Sequence, residues 1–84
     1  AIALDPDLAL AYANRGVAYS HQGLAGGERG KVAQGIADLN KAIELDPHLA
    51  FAYAERGRVY AKLGALASAM ADLDKAVALD PSYA

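Results

Sequence analysis

One phrase written three times constrains this 84-residue chain more than any other feature in it. Residues 1–6 read AIALDP, residues 42–47 read AIELDP and residues 76–81 read AVALDP. The closing prolines stand at 6, 47 and 81, so the spacing is 41 residues and then 34. A second phrase follows the first two copies: LALAYANRGVAYSHQG at 8–23 and LAFAYAERGRVYAKLG at 49–64. The repeating unit is thus a pair of segments.

Composition decides what the segments are. With 21 Ala and 11 Leu against three Pro, the chain is dominated by residues that lose little entropy in a helix. Tyr12, Gly16 and Tyr19, like Tyr53, Gly57 and Tyr60, fall at i, i+4, i+7 and mark one helical face, expected to be buried. Ile36, Leu39 and Ile43, and later Met70, Leu73 and Val77, form an apolar stripe at the same steps. Gly23 and Gly64 are expected to close the first helix of each pair in a left-handed conformation. The Asp-Pro pair closes the second, because proline disfavours helix in the residue before it. The pattern predicts helices over 9–22, 31–45, 50–63 and 66–79, an all-α fold.

The residues Tyr53, Arg56-Gly57, Tyr60, Ala69, Leu73 and Pro81, and in the first copy Tyr12, Arg15-Gly16, Tyr19, Gly35, Leu39 and Pro47, resemble the tetratricopeptide repeat pattern. That family's unit is a 34-residue helix-turn-helix. The resemblance implies an α-solenoid in one tetratricopeptide domain over 1–84. Residues 1–6 would end a preceding repeat, 8–47 would be a full repeat with a seven-residue insertion, 50–83 a second, and residue 84 would open a following one. It also implies a protein or peptide partner held in a groove lined by the first helix of every pair. Carried over position by position, that groove would take Leu10, Ala13, Asn14, Val17, Ser20 and His21 from the first repeat. The second would add Phe51, Ala54, Glu55, Arg58, Ala61 and Lys62. Some family members clamp a partner's C-terminal carboxylates through a Lys and an Asn on one first helix. Ala13 and Val17 stand at those leading positions, so only a weaker attraction of an acidic segment to Arg58 and Lys62 is expected.

Two departures from the family pattern matter. Arg15 and Arg56 stand where the family has Leu, on the tyrosine face. Asp38 and Asp72 on the partner helices lie among inward-facing positions, so Arg15 with Asp38 and Arg56 with Asp72 are expected as structural ion pairs. The alternative is that each Asp serves Lys41 or Lys75 on a solvated face. The second departure is the insertion, within 24–34 (LAGGERGKVAQ). Residues 25–31 have a relaxed phosphate-loop spacing with Gly30 and Lys31, but Val32 stands where a magnesium-holding Ser or Thr belongs and no strand precedes. An extended surface turn is the simpler expectation.

Other classes find little support. There is no cysteine for a disulfide, a thiolate nucleophile or a zinc site. A net charge of −2 and a pI near 5.5 offer no general attraction to nucleic acid. No apolar run approaches the ~20 residues of a membrane span. His21 and His48 are far apart and read as solvent-facing helix-end residues, not metal ligands, and no catalytic set, acid-base pair or cofactor site is legible. The expectation is therefore a soluble, non-enzymatic interaction scaffold of unassigned cellular location. A repeat spacer without its own ligand is the alternative, and a nucleotide-responsive module through the insertion is a third. Exposed apolar faces at the two ends, carrying Ile2, Leu4 and Tyr83, are expected to drive self-association.

Overall fold

A computed structural model describes residues 6–83, with side-chain surroundings for 7–82. Ile2, Leu4 and the Tyr83 side chain lie outside the described residues, as do residue 84 and residues 1–5 of the segment 1–6 expected to end a preceding repeat; Pro6 itself opens α1. Four helices follow one another: α1 (Pro6–Gly26), α2 (Arg29–Leu45), α3 (Ala50–Lys62) and α4 (Leu66–Leu79), then a short 3₁₀ turn, Pro81–Tyr83. No strand occurs among the described residues, and none of their helices is long and apolar enough to cross a membrane.

Helices α1 and α2 form one hairpin and α3 and α4 a second. The first is closed by a small-residue stripe: Ala9, Ala13, Gly16, Ser20 and Gly23 are buried at alternating steps of four and three. The tyrosines flank this stripe half-buried, which corrects the expectation that theirs is the buried face. Small residues let the backbones approach closely. A Cβ on Gly16 would lie 2.7 Å from the Gly35 carbonyl oxygen, and one on Gly35 would lie 2.6 Å from the Gly16 oxygen. The second hairpin sets Gly57 against Ala69 with more room, 3.1 Å to the Ala69 oxygen. Between the hairpins, Ala13, Val32, Leu39 and Ala42 share a core with Ala52 and Val59 of α3.

The turns explain where the inserted residues went. At the end of α3, Gly64 adopts φ +82°. The Ala65 N–H donates to the Tyr60 carbonyl at 2.9 Å and the Gly64 N–H to that of Ala61 at 3.1 Å, a Schellman closure. In the first hairpin the left-handed residue is Gly27, φ +68°, and the Glu28 N–H reaches the Gly23 carbonyl at 2.8 Å. Gly23 therefore does not close α1: it lies inside the helix, packed on Val32. The insertion is not an extended turn either. Relative to the second hairpin, α1 runs five residues further and α2 starts three residues earlier, while the turn between them is one residue shorter, about one helical turn added at each side of the hairpin.

The two Asp-Pro sequences that lie wholly within the described residues, 46–47 and 80–81, end a helix in the same way. The Asp46 N–H donates to the Ala42 carbonyl and the Asp80 N–H to that of Ala76, each at 2.8 Å. The carboxylates then accept the N–H two residues on, His48 at 3.1 Å and Ser82 at 3.0 Å. This Asx turn carries the chain out of the helix. At Asp80 the Ser82 hydroxyl also donates, at 2.8 Å. That bond first, with the Ser82 N–H second, holds the carboxyl below its ordinary range.

Candidate functional site

The side chains that the family resemblance assigns to a groove separate into three groups. Leu10, Asn14, His21, Arg58, Ala61 and Lys62 are exposed, and Val17 and Phe51 are half-buried. Ala13, Ser20, Ala54 and Glu55 are buried and do not line an open face. Three of these lie on the stripe that closes a hairpin: Ala13 and Ser20 in α1, and Ala54 in α3 beside Ala50 and Gly57. Glu55 falls with Ala52 and Val59, both buried, and its carboxylate accepts a hydrogen bond from the Arg58 guanidinium. One point that sequence reasoning missed is Ser20, whose hydroxyl is buried with no hydrogen-bond partner among the described residues. Gly35, which stands where the second repeat has Ala69, was the available signal, because only a glycine leaves room for Ser20 there.

The exposed residues of α1 and α3 meet at the long end of the first hairpin. His21, Leu24 and Ala25 of α1 and Lys62 of α3 line a cleft of about 390 Å³. The insertion builds half of it, since Leu24 and Ala25 lie in the turn added to α1. Lys62 makes no ion pair among the described residues, whereas Arg58 is committed to Glu55. The cleft thus has an apolar floor and a single free cation at its rim.

Each hairpin is clasped by an arginine between two tyrosines. Arg15 Nε and Nη2 donate to Asp38 Oδ2 and Oδ1, both at 2.8 Å, and Tyr12 and Tyr19 hold the guanidinium at 5.4 and 5.8 Å from their ring centroids. Arg56 repeats this with Asp72 at 2.8 and 2.7 Å and with Tyr53 and Tyr60 at 5.6 and 5.9 Å. Bidentate geometry and stacking on rings both suit a guanidinium rather than an ammonium. Both arginine pKa values are raised, chiefly by the carboxylate hydrogen bond, with partial burial opposing it. Lys41 reaches Glu44 at 3.7 Å, not Asp38. One contact has no counterpart in the first repeat: Arg56 Nη1 donates to Asn40 Oδ1 of α2 at 2.8 Å, so Arg56 ties α2, α3 and α4 together.

The phosphate-loop reading is corrected by the helix that replaces the loop. Gly30 and Lys31 lie in the first turn of α2, and the Lys31 ammonium is 3.4 Å from the Glu28 carboxylate. An acidic side chain at the helix start opposes a phosphate there. Among the described residues no three His, Asp or Glu side chains gather closely enough to hold a metal.

Stacked antiparallel hairpins joined through one shared core define a helical-repeat protein of the α-solenoid class. A family model described as TPR repeat matches residues 28–64, and one described as tetratricopeptide repeat matches residues 50–83. The chain belongs to the tetratricopeptide-repeat family. Repeats of that family generally serve as protein-interaction modules and are generally non-catalytic. No curated protein and no solved structure matches the chain.

Proposed function

We propose that this protein is a non-enzymatic interaction module that holds a short partner segment along the face shared by α1 and α3. Residues 8–47 and 50–83 act in this reading as two full repeats, with 1–6 and 84 belonging to neighbouring repeat positions. The observation that carries the reading is the cleft of His21, Leu24, Ala25 and Lys62, in which two first helices contribute to one concavity. Exposed Leu10 and half-buried Val17 and Phe51 offer apolar contact on the same two helices. Lys62 supplies the charge that selects the partner's chemistry: an apolar side chain flanked by a carboxylate fits, and a basic segment does not.

The test is a titration with acidic-apolar peptides and their basic scrambles, repeated on Lys62→Glu. The acidic peptide is expected to bind preferentially, and Lys62→Glu to weaken it by roughly tenfold or more. Equal affinity for acidic and basic peptides would remove the proposal.

A further inference from the structure

The two hairpins are one unit seen twice, and they differ in what covers them. Val32, Ile36, Leu39 and Ile43 of α2 correspond, 34 positions on, to Leu66, Met70, Leu73 and Val77 of α4. Leu39 packs on Gly16 as Leu73 packs on Gly57, yet Leu39 is fully buried and Leu73 is 37% exposed. Val32 is 4% exposed, whereas Leu66 and Met70 are 63% and 64% exposed. The converse holds on the other side of the joint. Ala52, Glu55 and Val59 of α3 are buried, and their counterparts 41 positions back in α1, namely Ala11, Asn14 and Ala18, are all exposed. The joint between hairpins therefore exists a second time in halves, one on α4 and one on α1.

The halves also carry complementary charge. Across the internal joint Asn40 accepts from Arg56 Nη1. The counterpart of Asn40 is Asp74, exposed and without an ion pair among the described residues, and the counterpart of Arg56 is Arg15. Arg15 gives Nε and Nη2 to Asp38, and its Nη1 makes no hydrogen bond among the described residues. With Leu8, Ala11 and Tyr12, Arg15 also lines an open cleft of about 290 Å³ on the α1 half.

We propose that the α4 face of one copy receives the α1 face of a second copy, head to tail, in the geometry by which α2 receives α3. Leu66, Met70, Leu73 and Val77 of the first copy pack against Leu8, Ala11 and Ala18 of the next. Asp74 accepts the free Nη1 of the next copy's Arg15, so the internal amide contact becomes a charge-assisted one. The surfaces joined are different, so the contact is heterologous and propagates as an open chain, not a closed dimer. Residues 1–6 repeat the phrase of 76–81. The inference is independent of the peptide reading, because it uses the outer faces and not the cleft at Lys62.

Sedimentation of the full chain over a wide concentration range tests it, with helicity of every variant checked by circular dichroism. The expected result is growth beyond a dimer with concentration. Met70→Glu blocks the α4 face and Ala11→Glu the α1 face. Each alone is expected to be monomeric, and their mixture to form a 1:1 dimer through the two intact faces. Asp74→Arg is expected to weaken association more than about tenfold and Asp74→Asn far less, since asparagine already does this work at position 40. A monomeric full chain at its highest soluble concentration overturns the proposal, as does self-association of Ala11→Glu alone, which would mean pairing of like faces. Equal loss in Asp74→Arg and Asp74→Asn overturns the assigned contact.

Discussion

At the scale of single residues, the two Arg–Asp clasps share a geometry and differ in exposure. The Arg56 side chain is 21% exposed and that of Arg15 57%. Removing a carboxylate strands the guanidinium, and the cost grows with its burial. Asp72→Ala is therefore expected to cost about 2–3 kcal/mol, and Asp38→Ala distinctly less, measured as denaturant midpoints with unchanged slopes. The pairing candidates were legible because charge had intruded at positions where the repeat pattern wants Leu. The second hydrogen-bond partner of Arg56, Asn40, was not legible, since nothing about an asparagine on a polar helix face signals which neighbouring helix will reach it.

At the scale of elements, the first hairpin shows how a helical repeat absorbs extra residues. Lengthening both helices keeps the closing stripe in phase and moves the turn outward from Gly23 to Gly27. The two glycines of the new corner have opposite roles, so alanine at each has an opposite expected sign. Gly27 sits at φ +68°, where a side chain is strained, and Gly27→Ala is expected to destabilise by about 1 kcal/mol. Gly30 lies in the first turn of α2 with open space around it, and Gly30→Ala is expected to stabilise by about 0.5 kcal/mol. Paired thermal melts check both. If instead residues 25–31 were a phosphate-gripping loop, Gly30→Ala would be harmful. Helix type and order were legible from periodicity for all four helices, and the bounds 66–79 coincide with α4. The first corner was misread because Gly23 aligns with Gly64 in sequence, while a choice among Gly23, Gly26, Gly27 and Gly30 depends on what Val32 packs against.

At the scale of the whole molecule, the hairpins are coupled through one apolar joint and one polar link. In an array whose stability is a sum of unit and neighbour terms, weakening the neighbour term loosens cooperativity before it unfolds a unit. Asn40→Ala leaves both hairpin clasps intact and removes only the link from α2 to Arg56. It is expected to cost about 1 kcal/mol and to broaden the melting transition, so that probes on α1 and α3 no longer melt together. Tyr19 and Tyr60, one per hairpin, are natural reporters for that comparison.

The sequence by itself determined the repeat, the helical character of every segment, the pairing of those segments into hairpins and the exits at Asp-Pro, because each depends on local spacing or on backbone chemistry within a few residues. Only the tertiary structure decided which members of the first helices are free to meet a partner. Leu10, Asn14, His21, Arg58 and Lys62 face outward, while Ala13, Ser20, Ala54 and Glu55 are taken up by packing. The tertiary structure likewise decided that Lys62 is free while Arg58 is spent on Glu55, and that the turn added to α1 supplies half of a cleft. The physical reason is that a helix has one periodicity and several neighbours: spacing marks the faces, and only the distances between helices say which face each neighbour covers.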